Sequence, residues 1–268
     1  MAFRTPDSGG LPSPQHSPCE REGVTALVRG WFGLPGLALP SQSAAKFACP
    51  LMISRMSSDL AKWVEAARAL HEKSVVVDSH CDTTIRLMQP GWDFSALHDD
   101  GHVDIPRLRA GVVGAVALAV YAPGPMVAGE GPKAARAQLD TIDCAVKQYA
   151  EFLLAARTAA DVRYAKEQGR IAVLVGIEGG YLIDDSLDVL REYQRRGAMY
   201  LTLTHAFHTS WADSSGVHES LSPLHGGLTD FGREVIRELN RLGVMVDVSH
   251  VSDDTFWDVI ETSAAPVI

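Results

Sequence analysis

The chain has 268 residues, 46% hydrophobic and 21% charged, so it can bury a large core as one barrel-sized domain or as two smaller ones. A net charge of −9 with no Lys or Arg run argues against a phosphate-tracking surface, and no nucleic-acid partner is expected. No apolar run reaches the roughly 18 residues of a transmembrane helix. Cys19, Cys49, Cys81 and Cys144 form no Cys-x-x-Cys pair, which fits reduced thiols in a cytoplasmic protein better than a disulfide scaffold.

Residues 1–55 are rich in Pro, Ser and Gly, lack sustained periodicity, and are expected to be a disordered or loosely attached leader. Within them, residues 23–49 have the loose shape of a secretory leader, interrupted by Pro35 and Pro40 and far from Met1. Export therefore stands as the alternative to a cytoplasmic location. Met52 and Met56 precede the first well-patterned helix, so an over-extended start site competes with a regulatory tail as the origin of the leader.

Leu60, Trp63, Val64, Ala67 and Leu70 keep helical spacing over 59–73. The β-branched run Val75-Val76-Val77 then reads as a buried strand that surfaces into Asp78-Ser79-His80-Cys81-Asp82. A loop is expected to about 109, and the apolar run 111–120 suits a strand buried on both faces. Helices are expected over 133–156 and 159–168, the latter stopped by Gly169, and a strand over 171–177 that ends in Glu178-Gly179-Gly180. A helix over 186–196 leads to a strand over 198–204 ending in His205. Thr229 caps a helix to 242 with Phe231, Val235, Ile236 and Leu239 inward, and a strand over 244–248 ends at Ser249-His250. Ser252 caps a last helix, with Asp253 and Asp254 in its first turn, and 265–268 reads as a sixth strand just begun.

Regular alternation of strand and helix implies right-handed βαβ units and a parallel sheet. No glycine-rich nucleotide loop follows the first strand. His80/Asp82, Glu178, His205 and His250 instead stand at the carboxyl ends of different apolar strands, which in a (β/α)8 TIM barrel open onto one face. Period-2 geometry puts Asp78, His80 and Asp82 on one side and turns Cys81 away, as an ordinary buried cysteine. An imidazole and a carboxylate two residues apart can grip zinc. The spacing alone is weak, since His98/Asp100 and His102/Asp104 share it in a polar stretch that reads as solvated loop. His208, His218 and His225 are likewise read as solvated loop side chains.

The segments VVDSHCDTT, GHVDIPRLRAGVVGA, GIEGG, LTLTHAFHTSWADSS, GGLTDFGREVIRELNRLGVMVDVSHVS and SAAPVI stand in the order found in the membrane dipeptidase (renal dipeptidase-like) family, which the chain resembles from about residue 74 to its end. The resemblance implies a (β/α)8 barrel that holds two zinc ions and hydrolyses dipeptides. Carried over by position, His80 and Asp82 would bind the first zinc, Glu178 would bridge, and His250 would bind the second. His205 would contact substrate and stabilise the oxyanion. The metals would make a shared water acidic enough to attack the peptide bond, with no serine or cysteine nucleophile.

In the family a further histidine ligand of the second zinc, a substrate-binding arginine and an acidic residue come after the segment matched by SAAPVI, beyond Ile268. The expectation is thus an incomplete barrel over 56–268, with about five strands plus the start of a sixth. The second zinc site would be incomplete and the activity of such a fragment weak or absent. An inactive or partner-completed subunit is one competing reading, a di-metal hydrolase of another amide or a lactone a second. A homodimer is admitted. Asp78 is either a supporting partner of the site or a seat for its strand.

Overall fold

The computed structural model describes residues 50–268 apart from 123, 125, 126 and 218–220. The leader, except its last residues, and His218 lie outside the described residues.

Helix α1 spans Pro50–Lys73, longer than the expected 59–73. Pro50 at its first position has no N–H to leave unpaired. Its C-terminus is tied down: His71 Nδ1 lies 2.9 Å from the Gly111 carbonyl, and Lys166 donates to the carbonyls of His71 and Ser74. Its stripe of Leu60, Trp63, Val64 and Leu70 stays exposed.

Next come β1 (Val76–Cys81), short helices α2 (Thr84–Leu87) and α3 (Ile105–Ala110), β2 (Val113–Tyr121) and α4 (Glu130–Gln148). After β3 (Leu153–Ala155) and α5 (Ala159–Glu167) come β4 (Ile171–Glu178) and a 3-10 turn over Gly180–Ile183. The chain closes with α6 (Leu187–Arg196), β5 (Ala198–Thr202), α7 (Asp230–Leu242), β6 (Met245–Asp247) and α8 (Asp253–Thr262).

The five expected strands lie in the order β1-β2-β4-β5-β6, all parallel, each placed one step further round. This half-barrel is the first part of a TIM-barrel architecture. Ile268 extends it: its N–H donates to the Val246 carbonyl at 3.0 Å and its carbonyl accepts from Val248 N–H at 2.8 Å. The ladder pattern of a further parallel strand has thus begun at the residue where the sequence places it.

Two expectations are corrected. The helix expected to 156 stops at Gln148, and Leu153–Ala155 pairs with the start of β4. Three residues are too few for a period-2 signal, and Leu and Ala favour helix. The stretch to 109 is not simply solvated loop: Asp104 is fully buried and caps α3 by accepting from Arg107 N–H at 2.8 Å. The Arg107 guanidinium lies 2.6 Å from the same carboxylate.

All eight β4 residues are buried, as are the central seven of β2. Each large side chain there contributes about 1.5–3 kcal/mol of hydrophobic stabilisation. The helices that cover this sheet are capped: Thr229 and Ser252, as the sequence predicts, accept from Gly232 and Thr255 N–H, Ser186 accepts from Val189 N–H, and Gly243 ends α7 at a φ of 69°. Val235, Ile236 and Leu239 of α7 are fully buried and Phe231 packs against the same core. The result is a rigid central strand whose last residue, Glu178, is held at the sheet's carboxyl edge.

Candidate functional site

Glu178 is 5% exposed and sits in register with Tyr121 of β2 and Thr202 of β5. The GIEGG segment explains how the chain turns there. A Cβ on Gly180 would lie 2.3 Å from the Trp211 ring and 2.5 Å from the Leu203 carbonyl, so only glycine lets the turn pack under the buried Trp211.

Three imidazoles converge on this carboxylate. His80 Nε2 lies 3.3 Å from Oε2, and His250 Nε2 lies 3.3 Å from Oε1. His205 Nε2 is 3.7 Å from Oε1. Asp82 Oδ1 stands 3.3 Å from His80 Nε2. The structure thus gathers every sequence-predicted site residue, His80, Asp82, Glu178, His205 and His250, into two overlapping donor groups. One is His80, Asp82 and Glu178; the other is Glu178, His205 and His250, with ligand atoms in each within 4.8 Å of one another.

Local structure aims each side chain. At the end of β1 the register with β2 shifts between Asp78 and Cys81, and Asp78 Oδ1 takes up the His80 N–H at 3.2 Å. Asp78 thus fixes the strand end. Cys81 points into the core as expected, its Sγ donating to Thr83 Oγ1 at 3.1 Å while burial pushes its thiol up. His250 adopts a left-handed φ of 65°, uncommon outside glycine. Its carbonyl is held by Thr204 Oγ1 (2.8 Å), Ser214 Oγ (3.0 Å) and Ser215 N–H (2.9 Å). Buried Asp247, at the end of β6, accepts from Thr202 Oγ1 at 2.6 Å and from Ser249 N–H at 2.9 Å, locking β5 to β6 just below the histidines.

The electrostatics favour a cation. Hydrogen bonding to Asp82, and next to Glu178, pushes the His80 imidazolium up to about 10 against the cost of burial. Burial above all, reinforced by neighbouring His250, holds His205 below its ordinary range despite Glu178. Among the described residues no Lys or Arg pairs with Glu178 or Asp82, so nitrogen donors alone face the buried carboxylate. Imidazole and carboxylate donors of this kind fit zinc.

The loop between β5 and α7 departs from expectation. His208 and His225 are not solvated side chains. His208 Nδ1 lies 3.0 Å from Ser214 N and 3.2 Å from Asp213 Oδ1, and its Nε2 lies 3.0 Å from the Ser222 carbonyl. His225 Nε2 lies 3.0 Å from the Thr209 carbonyl. Both ring contacts are local, and the loop wraps on buried Asp213, whose carboxylate takes backbone N–H groups of Leu224, His225, Gly226 and Gly227. Asp213 and Tyr200 were not legible as site residues: an acid in a polar loop and an aromatic in an apolar strand carry no signal of their own.

The model of the membrane dipeptidase family, peptidase family M19, matches residues 64–268. The chain belongs to this family. It is 38% identical over 177 residues to dipeptidase verJ of Clonostachys rogersoniana, covering 62% of this chain and 45% of that protein. It is 36% identical over 211 residues to dipeptidase 3 of Rattus norvegicus, covering 76% and 42%. The chain therefore spans less than half the length of these relatives. Among solved structures, a metallopeptidase of Rhodobacter sphaeroides bound to a phosphinate mimic of the dipeptide L-Ala-D-Ala is 26% identical. Its TM-score is 0.66, over 72% of this chain and 63% of that one. The probable dipeptidase PvdM of Pseudomonas aeruginosa shares the fold, with a TM-score of 0.70 at 24% identity over 77% and 54%. The membrane dipeptidase match accounts for the half-barrel, and its span of residues 64–268 takes in all five of these residues. No helix among the described residues is long and apolar enough to cross a membrane.

Proposed function

We propose that this chain carries the metal centre of a zinc-dependent dipeptidase, with His80 and Asp82 on one zinc, Glu178 bridging, and His250 on a second. The observation that carries the reading is the bifurcated role of Glu178: one carboxylate oxygen faces His80, the other faces His250, each at 3.3 Å. A lone ion pair does not need both oxygens; a bridge between two cations does.

When bound, zinc supplies a Lewis acid and lowers the pKa of a coordinated water to near neutrality. The residues of the chain do the rest. Glu178 and Asp82 offset the metal charge, Glu178 held by the sheet and Asp82 standing on the turn that follows β1. His205 is kept for the substrate side. A metal-bound histidine usually anchors its second nitrogen, yet His205 Nδ1 is buried without a partner among the described residues. Its Nε2 is also the most distant of the three from Glu178. From there it would stabilise negative charge on the peptide oxygen as that charge develops.

The test uses the whole chain. Zinc content is measured with and without His80→Ala, and hydrolysis is followed on a panel of dipeptides, including L-Ala-D-Ala, acyl-amino acids and lactones, with and without a chelator. Zinc lost on substitution is the expected result, with any cleavage by this partial barrel weak, chelator-sensitive and confined to dipeptides. Cleavage of the lactones or acyl-amino acids alone would reassign the substrate; zinc content unchanged in His80→Ala would remove the metal assignment.

A further inference from the structure

His80 has a second nitrogen, and its partner is an unusual one. Nδ1 lies 2.8 Å from the hydroxyl of Tyr200, a β5 residue only 1% exposed. The two rings stand 6.2 Å apart between centroids at 29°. Either atom can donate in this pair, but only one arrangement leaves Nε2 with a lone pair towards Asp82 and Glu178. In it, Nδ1 carries the proton and the phenol oxygen accepts.

The neighbouring strand is shaped around this contact. Gly176 of β4 is the ladder partner of Tyr200, and a Cβ there would lie 2.0 Å from Cζ and 2.1 Å from the hydroxyl oxygen. Any other residue at 176 would drive the phenol off His80. A strand-interior glycine costs stability, and here it leaves open the space that the Tyr200 ring occupies beside the imidazole.

We propose that Tyr200 is a positioning residue of the metal centre, accepting Nδ1–H of His80 so that Nε2 is free for zinc, with Gly176 as the notch that admits its ring. The proposal rests on the zinc reading of the site. A carboxylate or backbone carbonyl commonly fills this supporting position. A phenol fixes the same tautomer without adding a third negative charge to Asp82 and Glu178.

The experiment compares the full chain with Tyr200→Phe and His80→Ala, reading zinc affinity by chelator competition, the visible spectrum of the cobalt(II) form, and the melting temperature without metal. Tyr200→Phe keeps the packed ring and should weaken zinc by roughly 10- to 100-fold, shift the cobalt spectrum, and leave the metal-free melting temperature near that of the parent. A merely structural tyrosine would give the reverse, a lower melting temperature with unchanged affinity and spectrum, and that result overturns the proposal. On the unaltered chain, nitrogen NMR of the zinc form should show His80 protonated at Nδ1; metal at Nδ1 would also overturn it. If His80→Ala binds zinc as tightly as the parent, the zinc reading itself fails. If His80→Ala loses zinc and Tyr200→Phe does not, only the role of Tyr200 fails.

Discussion

Ser214 Oγ lies 3.0 Å from the carbonyl oxygen of His250 and 2.5 Å from that of His205. One buried hydroxyl thus joins the backbones of the two histidines that share Glu178 Oε1. It also helps hold His250 in its left-handed conformation, which other non-glycine residues adopt at a cost of about 1–3 kcal/mol. Ser214→Ala should lower stability by about 1 kcal/mol. Because Thr204 and Ser215 still hold the His250 carbonyl, the fold should survive. Metal titration should show weaker binding at the His250 side and unchanged binding at the His80 side. Equal weakening on both sides would mean that the hydroxyl acts on the fold and not on these two residues.

Membership of both donor groups separates Glu178 from the other four residues. Glu178→Gln should abolish tight zinc binding by both donor groups, because the amide offers one neutral oxygen where two anionic ones stood. His80→Ala should remove binding by the first group only, and His250→Ala by the second only. Zinc stoichiometry of the three variants, measured by elemental analysis after dialysis, decides it. If Glu178→Gln retains the metal that either histidine variant retains, the carboxylate does not bridge.

Much of this could be read from the chain. Apolar runs closed by glycine or a polar residue marked β2, β4, β5 and β6, and the caps at Thr229 and Ser252 lie where the pattern puts them. The convergence of His80, Asp82, Glu178, His205 and His250 was legible because strand ends in a parallel sheet share one edge. What was hidden is tertiary. His102/Asp104 has the same spacing as His80/Asp82, yet Asp104 is buried as a helix cap, and spacing does not say which carboxylate meets a second strand. Tyr200 looks like any inward aromatic until β4 is laid beside it with Gly176 opposite. The three-residue β3 has no period to detect.

Asp213 organises the loop that carries His205's neighbours. Against the burial that raises it, the N–H groups of His225, Gly227, Gly226 and Leu224 hold its carboxyl below the ordinary range. Asp213→Asn places an NH2 against these donors and should destabilise the protein by about 3 kcal/mol. The loss should be local first: hydrogen exchange is expected to quicken across 205–228 before β2 and β4 respond. Uniform acceleration across the sheet would show that the loop is no separate unit.

Glu238, on α7, joins α6 to its own helix. Its carboxylate is buried and takes Arg241 Nε and Nη2 at 2.7 Å each and Arg191 Nε at 2.6 Å. Hydrogen bonding to Arg241 leads, with Arg191 adding to it against desolvation, and together they hold the carboxyl down to about 2 from an ordinary 4.5. A depressed carboxylate pKa stabilises the folded state above the unfolded value and stops doing so as pH falls through the folded one. The contribution should thus be complete above about 4.5 and fade towards about 2. The guanidinium partners are 37% and 61% exposed, so solvent screening limits it to about 1 kcal/mol. Urea unfolding of the parent and Glu238→Gln should differ by that amount near neutrality and converge in acid, with the acid response of the metal site common to both and cancelling. A difference that stays constant down to the lowest pH would show that Glu238 acts through packing and not through its charge.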